Sequence, residues 1–141
     1  MRLTELKAST RLAAHDHGVL CTVHPDRGVD AVPVVYVVDE DAYLGIPVDQ
    51  VKPKSSSRLQ RERNLEADPR AALLVEHWDR ADWSRLWWVR AELRWQPDAP
   101  ARAADLAARL AQTYPQYRDK PFTRVLVLHV VRVTGWTGTA R

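Results

Sequence analysis

The chain has a single cysteine, Cys21, among 141 residues. One thiol makes no internal disulfide, so packing alone has to hold the fold and a reducing compartment suits it. Glycine is nearly as scarce, at five residues. That leaves little room for a phosphate-binding glycine loop or a dinucleotide fingerprint, and neither pattern is present. No Ser-His-Asp order and no nucleophile elbow stands in the sequence. His15, His17, His24, His77 and His129 form no metal-ligand spacing. Cys21 and His24, three apart on an expected strand, point to opposite faces, so no metal site is expected. No apolar run reaches membrane-spanning length and no charged-then-apolar leader precedes a cleavage site. The expectation is therefore a cytoplasmic chain with no membrane contact, and any catalysis falls to a bound cofactor.

What is present is ordinary in bulk and uneven in detail. A composition that is 45% hydrophobic and 28% charged suits one folded domain over residues 1–141. The net charge of the whole chain is only +3, yet Lys52, Lys54, Arg58, Arg61 and Arg63 face one acid, Glu62, between Val51 and Arg63. Ser55, Ser56 and Ser57 stand in the middle of that stretch, and Ser57 with Gln60 fits a capping box that starts a helix at the serines. A helix N-terminus carries unpaired N–H groups and a partial positive charge, so this stretch is a candidate seat for a phosphate. Acidic residues interleave with the basic ones everywhere outside 51–63, which argues against nucleic acid as partner.

In chain order, Leu3 to His15 reads as a helix with Leu3, Leu6, Thr10 and Ala13 on one face. Strands are expected at Val19–His24, Ala31–Val38 and Ala42–Val48, linked as hairpins into a meander. The second is apolar on both parities and is expected to be buried on both sides. After the cationic helix, which Pro69 closes, come Ala71–Trp78 and a long strand from Trp83 to Trp95. There Trp87, Val89, Ala91, Leu93 and Trp95 share one face and Trp88, Arg90, Glu92 and Arg94 the other. Trp87 and Trp88 therefore cannot both serve one core. Asp98 and Pro100 open a helix whose packing face is Ala103, Leu106, Ala107 and Leu110, and Tyr114-Pro115 ends it. Thr123–Val133 is a last strand with Val125, Val127, His129, Val131 and Val133 on one parity. The fold class is mainly β with flanking helices: six antiparallel strands closing into a small barrel. Pro33 and Pro47, inside strands, each mark an edge, a strand start or a bulge.

Several of these stretches together resemble a known family. Lys52-Pro53-Lys54-Ser55, Arg58-Leu59, Arg63-Asn64-Leu65-Glu66-Ala67-Asp68-Pro69-Arg70 and Asp82-Trp83-Ser84-Arg85-Leu86-Trp87-Trp88-Val89-Arg90 are similar to the pyridoxamine 5′-phosphate oxidase-like split-barrel superfamily. With Tyr114-Pro115-Gln116-Tyr117 and Val133-Thr134-Gly135-Trp136, they resemble more narrowly its coenzyme F420-dependent reductase branch. The resemblance implies a six-stranded split barrel, a homodimer and a cofactor in a groove between subunits. It implies that Lys52, Lys54, Ser55, Ser56, Ser57 and Arg58 hold the cofactor phosphate and that Pro33, Val34 and Val35 line its ring. The tryptophan segment, with Trp78, Trp87, Trp88 and Arg90, would wall the substrate side, and Arg61 and Arg63 would meet the acidic tail of coenzyme F420. The implied activity is hydride transfer between that deazaflavin and an unsaturated small molecule. The same residues admit FMN in its place, giving a flavin-dependent oxidase or reductase, and they admit a protein that binds the cofactor without catalysis.

Overall fold

Among the described residues seven strands form where six were expected, because the second breaks at Tyr36. The computed structural model describes residues 1–49, 59–120 and 122–139. Its elements are α1 (Glu5–Ala14), β1 (His17–His24), β2 (Gly28–Val35), β3 (Val37–Val38), β4 (Tyr43–Asp49), α2 (Gln60–Ala67), β5 (Arg70–His77), β6 (Trp87–Trp95), α3 (Pro100–Thr113) and β7 (Phe122–Thr137). All pair antiparallel in one sheet of order β2-β1-β5-β6-β7-β4-β3. The two ends of that order, β2 and β3, are consecutive in the chain. The sheet therefore curls into a half-barrel with flanking helices.

The break corrects the expected meander. β2 pairs with β1, and β3 pairs with β4 through Val37↔Gly45 and Val38↔Leu44, so the hairpins at either end are real. No ladder joins β2 to β4. Burial on both sides of β2 is corrected as well. Val29, Ala31 and Pro33 are exposed, and only Val34 with Tyr36 and Val37 beyond it are buried. An edge strand has one neighbour instead of two, so half of its apolar surface stays uncovered.

The alternation in β6 is as expected: Val89, Ala91 and Leu93 are buried while Arg90, Glu92 and Arg94 are exposed. Its start is not. Trp83–Arg85 is a turn of 3-10 helix, because the Asp82 carboxylate accepts from the Ser84 amide at 3.0 Å and its hydroxyl at 2.6 Å. β7 departs from a single parity. Arg132 faces Glu92 and Val130 faces Leu93, so Val131 is an extra residue, and it is exposed. A bulge of this kind moves the buried set from Leu126, Leu128 and Val130 to Val133.

α1 begins at Thr4, whose hydroxyl accepts from the Lys7 amide. Ala8 and Leu12 are its buried residues, whereas Leu6, Thr10 and Ala13, expected inside, are exposed. Both stripes have helical spacing, and only docking against the sheet distinguishes them. α3 uses the expected face. Leu106 and Leu110 are fully buried, and with Ala103 and Ala107 they pack on Val37, Phe122 and Val127. Each such leucine is worth roughly 1.5–3 kcal/mol. β4 admits this helix at Gly45, where a Cβ would lie 2.8 Å from the Leu106 Cβ.

Among the described residues no helix is long and apolar enough to cross a membrane.

Candidate functional site

The two strand prolines stand at the break in the curl. Among the described residues, β4 beyond Gly45 has β7 as its only ladder partner, and β2 has only β1. Pro33 and Pro47 lie on those two edges, where a missing N–H costs no hydrogen bond. They mark edges, not bulges in a buried strand. The bulges of this sheet are at Val48/Asp49 and at Glu92/Leu93. Between the edges opens a cleft of about 280 Å³ lined by His17, Pro33, Val34, Val35, Ile46, Pro47, Arg61 and Tyr117. Four of the residues expected to hold a cofactor, Pro33, Val34, Val35 and Arg61, thus meet in one place.

Arg61 reaches the cleft because α2 is pinned from below. Asn64, fully buried, donates to the Thr22 hydroxyl at 3.0 Å and to the Asp30 carboxylate at 2.9 Å, and accepts from Gln60 at 2.9 Å. Glu62 is buried and takes the Arg124 guanidinium, with Nε at 2.7 Å, together with the Leu59 amide at 3.1 Å. Leu59 is the N-cap of α2 and Glu62 its capping acid, where Ser57 and Gln60 were expected; Ser57 lies outside the described residues. Lys52, Lys54, Ser55, Ser56, Ser57 and Arg58 lie outside the described residues, as does the phosphate seat expected of them. Arg63 is an exposed residue of α2.

At the lip of the cleft His17 bonds the Asp16 carboxylate at 2.8 Å, and that hydrogen bond, more than any charge, lowers the Asp16 pKa. Tyr114 closes the corner behind. Its hydroxyl meets the carbonyl of Tyr36 at 2.6 Å and also that of Asp16, and burial pushes its pKa up to about 12.

The four residues expected on the substrate side also come together, in a second hollow of about 390 Å³ on the outer face of β5 and β6. Trp78, Trp87, Trp88 and Arg90 line it with Leu74, Glu76 and Leu86. As parity requires, the two adjacent tryptophans diverge. Trp87 packs on the core with His15 edge-on at 4.8 Å and Arg11 at 4.9 Å, while Trp88 sits under Arg90 on the other face. Hollow and cleft share that outer face. Pro33 pairs with Val19, Val19 with Leu74 and Leu74 with Arg90, a row running across four strands.

His17, Ile46 and Tyr117 of the cleft, and Leu74, Glu76 and Leu86 of the hollow, were not singled out from the sequence as site residues. Tyr117 does stand in one of the quoted motifs and Pro47 was marked as anomalous. His17 stood out only as one of five histidines without metal-ligand spacing.

The donor set suits a planar group with an anionic extension. Proline and valine walls on the two strand edges would face such a ring, and the Arg61 side chain stands to one side. A curled antiparallel sheet with flanking helices and an opening between two strand edges defines a half-barrel of the split type. The family described as pyridoxamine 5′-phosphate oxidase matches residues 5–137, and the chain belongs to that family. No curated protein matches the chain. Among solved structures it is similar to a FAD-binding protein from Mesorhizobium loti, at 18% identity over 96% of this chain and 93% of that one, with a TM-score of 0.69. A conserved hypothetical protein from Mycobacterium tuberculosis is 19% identical over 96% and 86%, with a TM-score of 0.74. A FMN-binding protein from Syntrophomonas wolfei subsp. wolfei is 13% identical over 94% and 88%, with a TM-score of 0.67. At these identities the likeness is one of fold.

Proposed function

We propose that this protein is an oxidoreductase in which the cleft between β2 and β4 holds the ring of a flavin or deazaflavin, with coenzyme F420 as the first candidate. The observation that carries the reading is the meeting of Pro33, Val34, Val35 and Arg61 in one cleft, beside the helix that follows the cationic stretch. Either cofactor would supply a hydride to an unsaturated small molecule. The part of the chain is to seat the ring between the two proline edges, to keep water from one face of it and to neutralise its phosphate. Lys52, Lys54, Ser55, Ser56, Ser57 and Arg58 are assigned to the phosphate, and Arg61 and Arg63 to the acidic tail that coenzyme F420 carries and FMN lacks. Trp78, Trp87, Trp88 and Arg90 are assigned to the acceptor.

FMN is the close second reading, supported by the FAD-binding and FMN-binding names of two structural neighbours. A homodimer belongs to the proposal. Val19, Val29 and Trp136, outside the hollow on β5 and β6, are exposed, and a second copy of the chain would cover such a face.

Purified protein titrated separately with FMN and with coenzyme F420, followed by absorbance and fluorescence, tests the reading. Binding of the deazaflavin, with slow reoxidation in air until an unsaturated acceptor is added, is the expected result. Tight FMN binding with rapid oxygen consumption and no affinity for the deazaflavin transfers the assignment to FMN. Binding of either without turnover of any acceptor leaves a carrier protein.

A further inference from the structure

We propose that the hollow on the outer face of β5 and β6 binds a flat, mainly apolar molecule with an anionic group at one end and a hydrogen-bond donor at the other. The inference deepens the acceptor assignment above and rests on it only in naming the guest an acceptor. The recognition chemistry comes from the hollow itself.

Leu74, Leu86, Trp78 and Trp88 give the hollow apolar walls, two of them aromatic faces that favour a planar guest. Arg90 lies over Trp88, its guanidinium carbon 5.3 Å from the ring centroid. Two other cations of this region are occupied: Arg85 with Asp79 at 3.4 Å and Arg132 with Glu92 at 3.8 Å. Among the described residues Arg90 is in no ion pair. A guanidinium over a ring keeps N–H donors that no ring contact uses, and these can grip a carboxylate or sulfonate with two parallel bonds.

Glu76 supplies the polarity. It lines the same hollow and faces Trp88 across the strands, whereas Arg90 faces Leu74. The two charges are therefore diagonal neighbours, roughly 7–8 Å apart at the backbone, and they form no bridge with one another. An anion is drawn to the Arg90 end and repelled from the Glu76 end, where a hydroxyl or N–H of the guest finds an acceptor. Aromatic or conjugated acids with a distal donor are the class this arrangement selects.

Two fluorescent probes of similar shape separate charge from apolarity: 8-anilinonaphthalene-1-sulfonate, an anion, and N-phenyl-1-naphthylamine, which is neutral. Excitation of the tryptophans reports proximity by energy transfer. The anion is expected to bind about tenfold more tightly than the neutral probe, and Arg90→Gln to abolish that preference. Glu76→Gln is expected to shift the anion the other way, to a several-fold tighter affinity. Both side chains are exposed, so far-ultraviolet circular dichroism should be unchanged in each variant. Equal binding of the two probes to the parent, or parental affinity in Arg90→Gln, overturns the inference. Parallel titrations with FMN and coenzyme F420 keep the two readings separate. Cofactor binding without a charge preference removes this inference alone, and a preference dependent on Arg90 without cofactor binding removes the proposed function alone.

Discussion

The Tyr114 hydroxyl, at the end of α3, lies 2.6 Å from the Tyr36 carbonyl at the break between β2 and β3. It also bonds the Asp16 carbonyl where β1 is about to begin, and the Tyr36 hydroxyl in turn donates to Leu12 of α1 at 2.5 Å. One phenol thus ties together three chain segments that frame the cleft. Tyr114→Phe keeps the ring and removes the tie. A loss of about 1–3 kcal/mol in urea unfolding is expected, the usual cost of stranding partly buried carbonyls.

The same hydroxyl gives an alkaline signature. Burial raises the Tyr114 pKa to about 12, above the value of about 10 in an unfolded chain, and burial raises that of Tyr36 too. The folded state then holds protons that the unfolded state releases. This contribution to stability is complete below about pH 10 and is lost as pH rises from there through the folded value. Denaturation midpoints measured from pH 9 to 12 should fall for the parent and fall less steeply for Tyr114→Phe.

An acid signature is expected from Asp39. Burial alone would raise its pKa, but bonds from the Tyr43 amide at 2.9 Å, from Arg102 at 2.7 Å and from the Asp41 amide at 2.9 Å hold it below the usual carboxylate range. The contribution is present above the unfolded value and is lost as pH falls through the folded one. Asp39→Asn should cost about 1–3 kcal/mol at neutral pH, where the Arg102 pair is lost, and the gap to the parent should close in acid unfolding below about pH 4.

Gly45 is required by close approach. An alanine Cβ would lie 2.8 Å from the Leu106 Cβ and 3.2 Å from a Val125 methyl. Neither is the end of a flexible side chain, so α3 would have to back away from β4. Gly45→Ala should destabilise by about 1–3 kcal/mol, read as a lowered thermal midpoint with no change in cofactor affinity for the material that remains folded.

The proposed phosphate seat has its own test. Lys54→Ala should weaken binding of the cofactor, FMN or coenzyme F420, by roughly ten- to hundredfold, the effect of one charge-assisted contact, without altering the fold. For coenzyme F420, whose acidic tail is assigned to Arg61 and Arg63 in the proposal, affinity should also fall more steeply with added salt than for FMN. An unchanged affinity in Lys54→Ala would move the seat elsewhere.

Local pattern determined much of this protein. The period of two along residues 87–95 separates Trp87 from Trp88, the period of 3.6 along 100–113 selects Leu106 and Leu110 as the buried face, and the strand prolines narrow their positions to an edge, a strand start or a bulge. Each of those outcomes depends on neighbours a few residues away. What the sequence could not settle depends on distant partners. Ala31–Val38 reads as one apolar run, and its break at Tyr36 goes with a bond to a residue 78 positions away. The choice of Ala8 and Leu12 over Leu6 and Ala13 was made by the sheet beneath α1, since both stripes have helical spacing. The extra residue at Val131 reflects how β7 must bend to pair with β6. His17, Ile46 and Tyr117 became neighbours of Pro33 only when the sheet curled until its two ends met, and that meeting made the cleft.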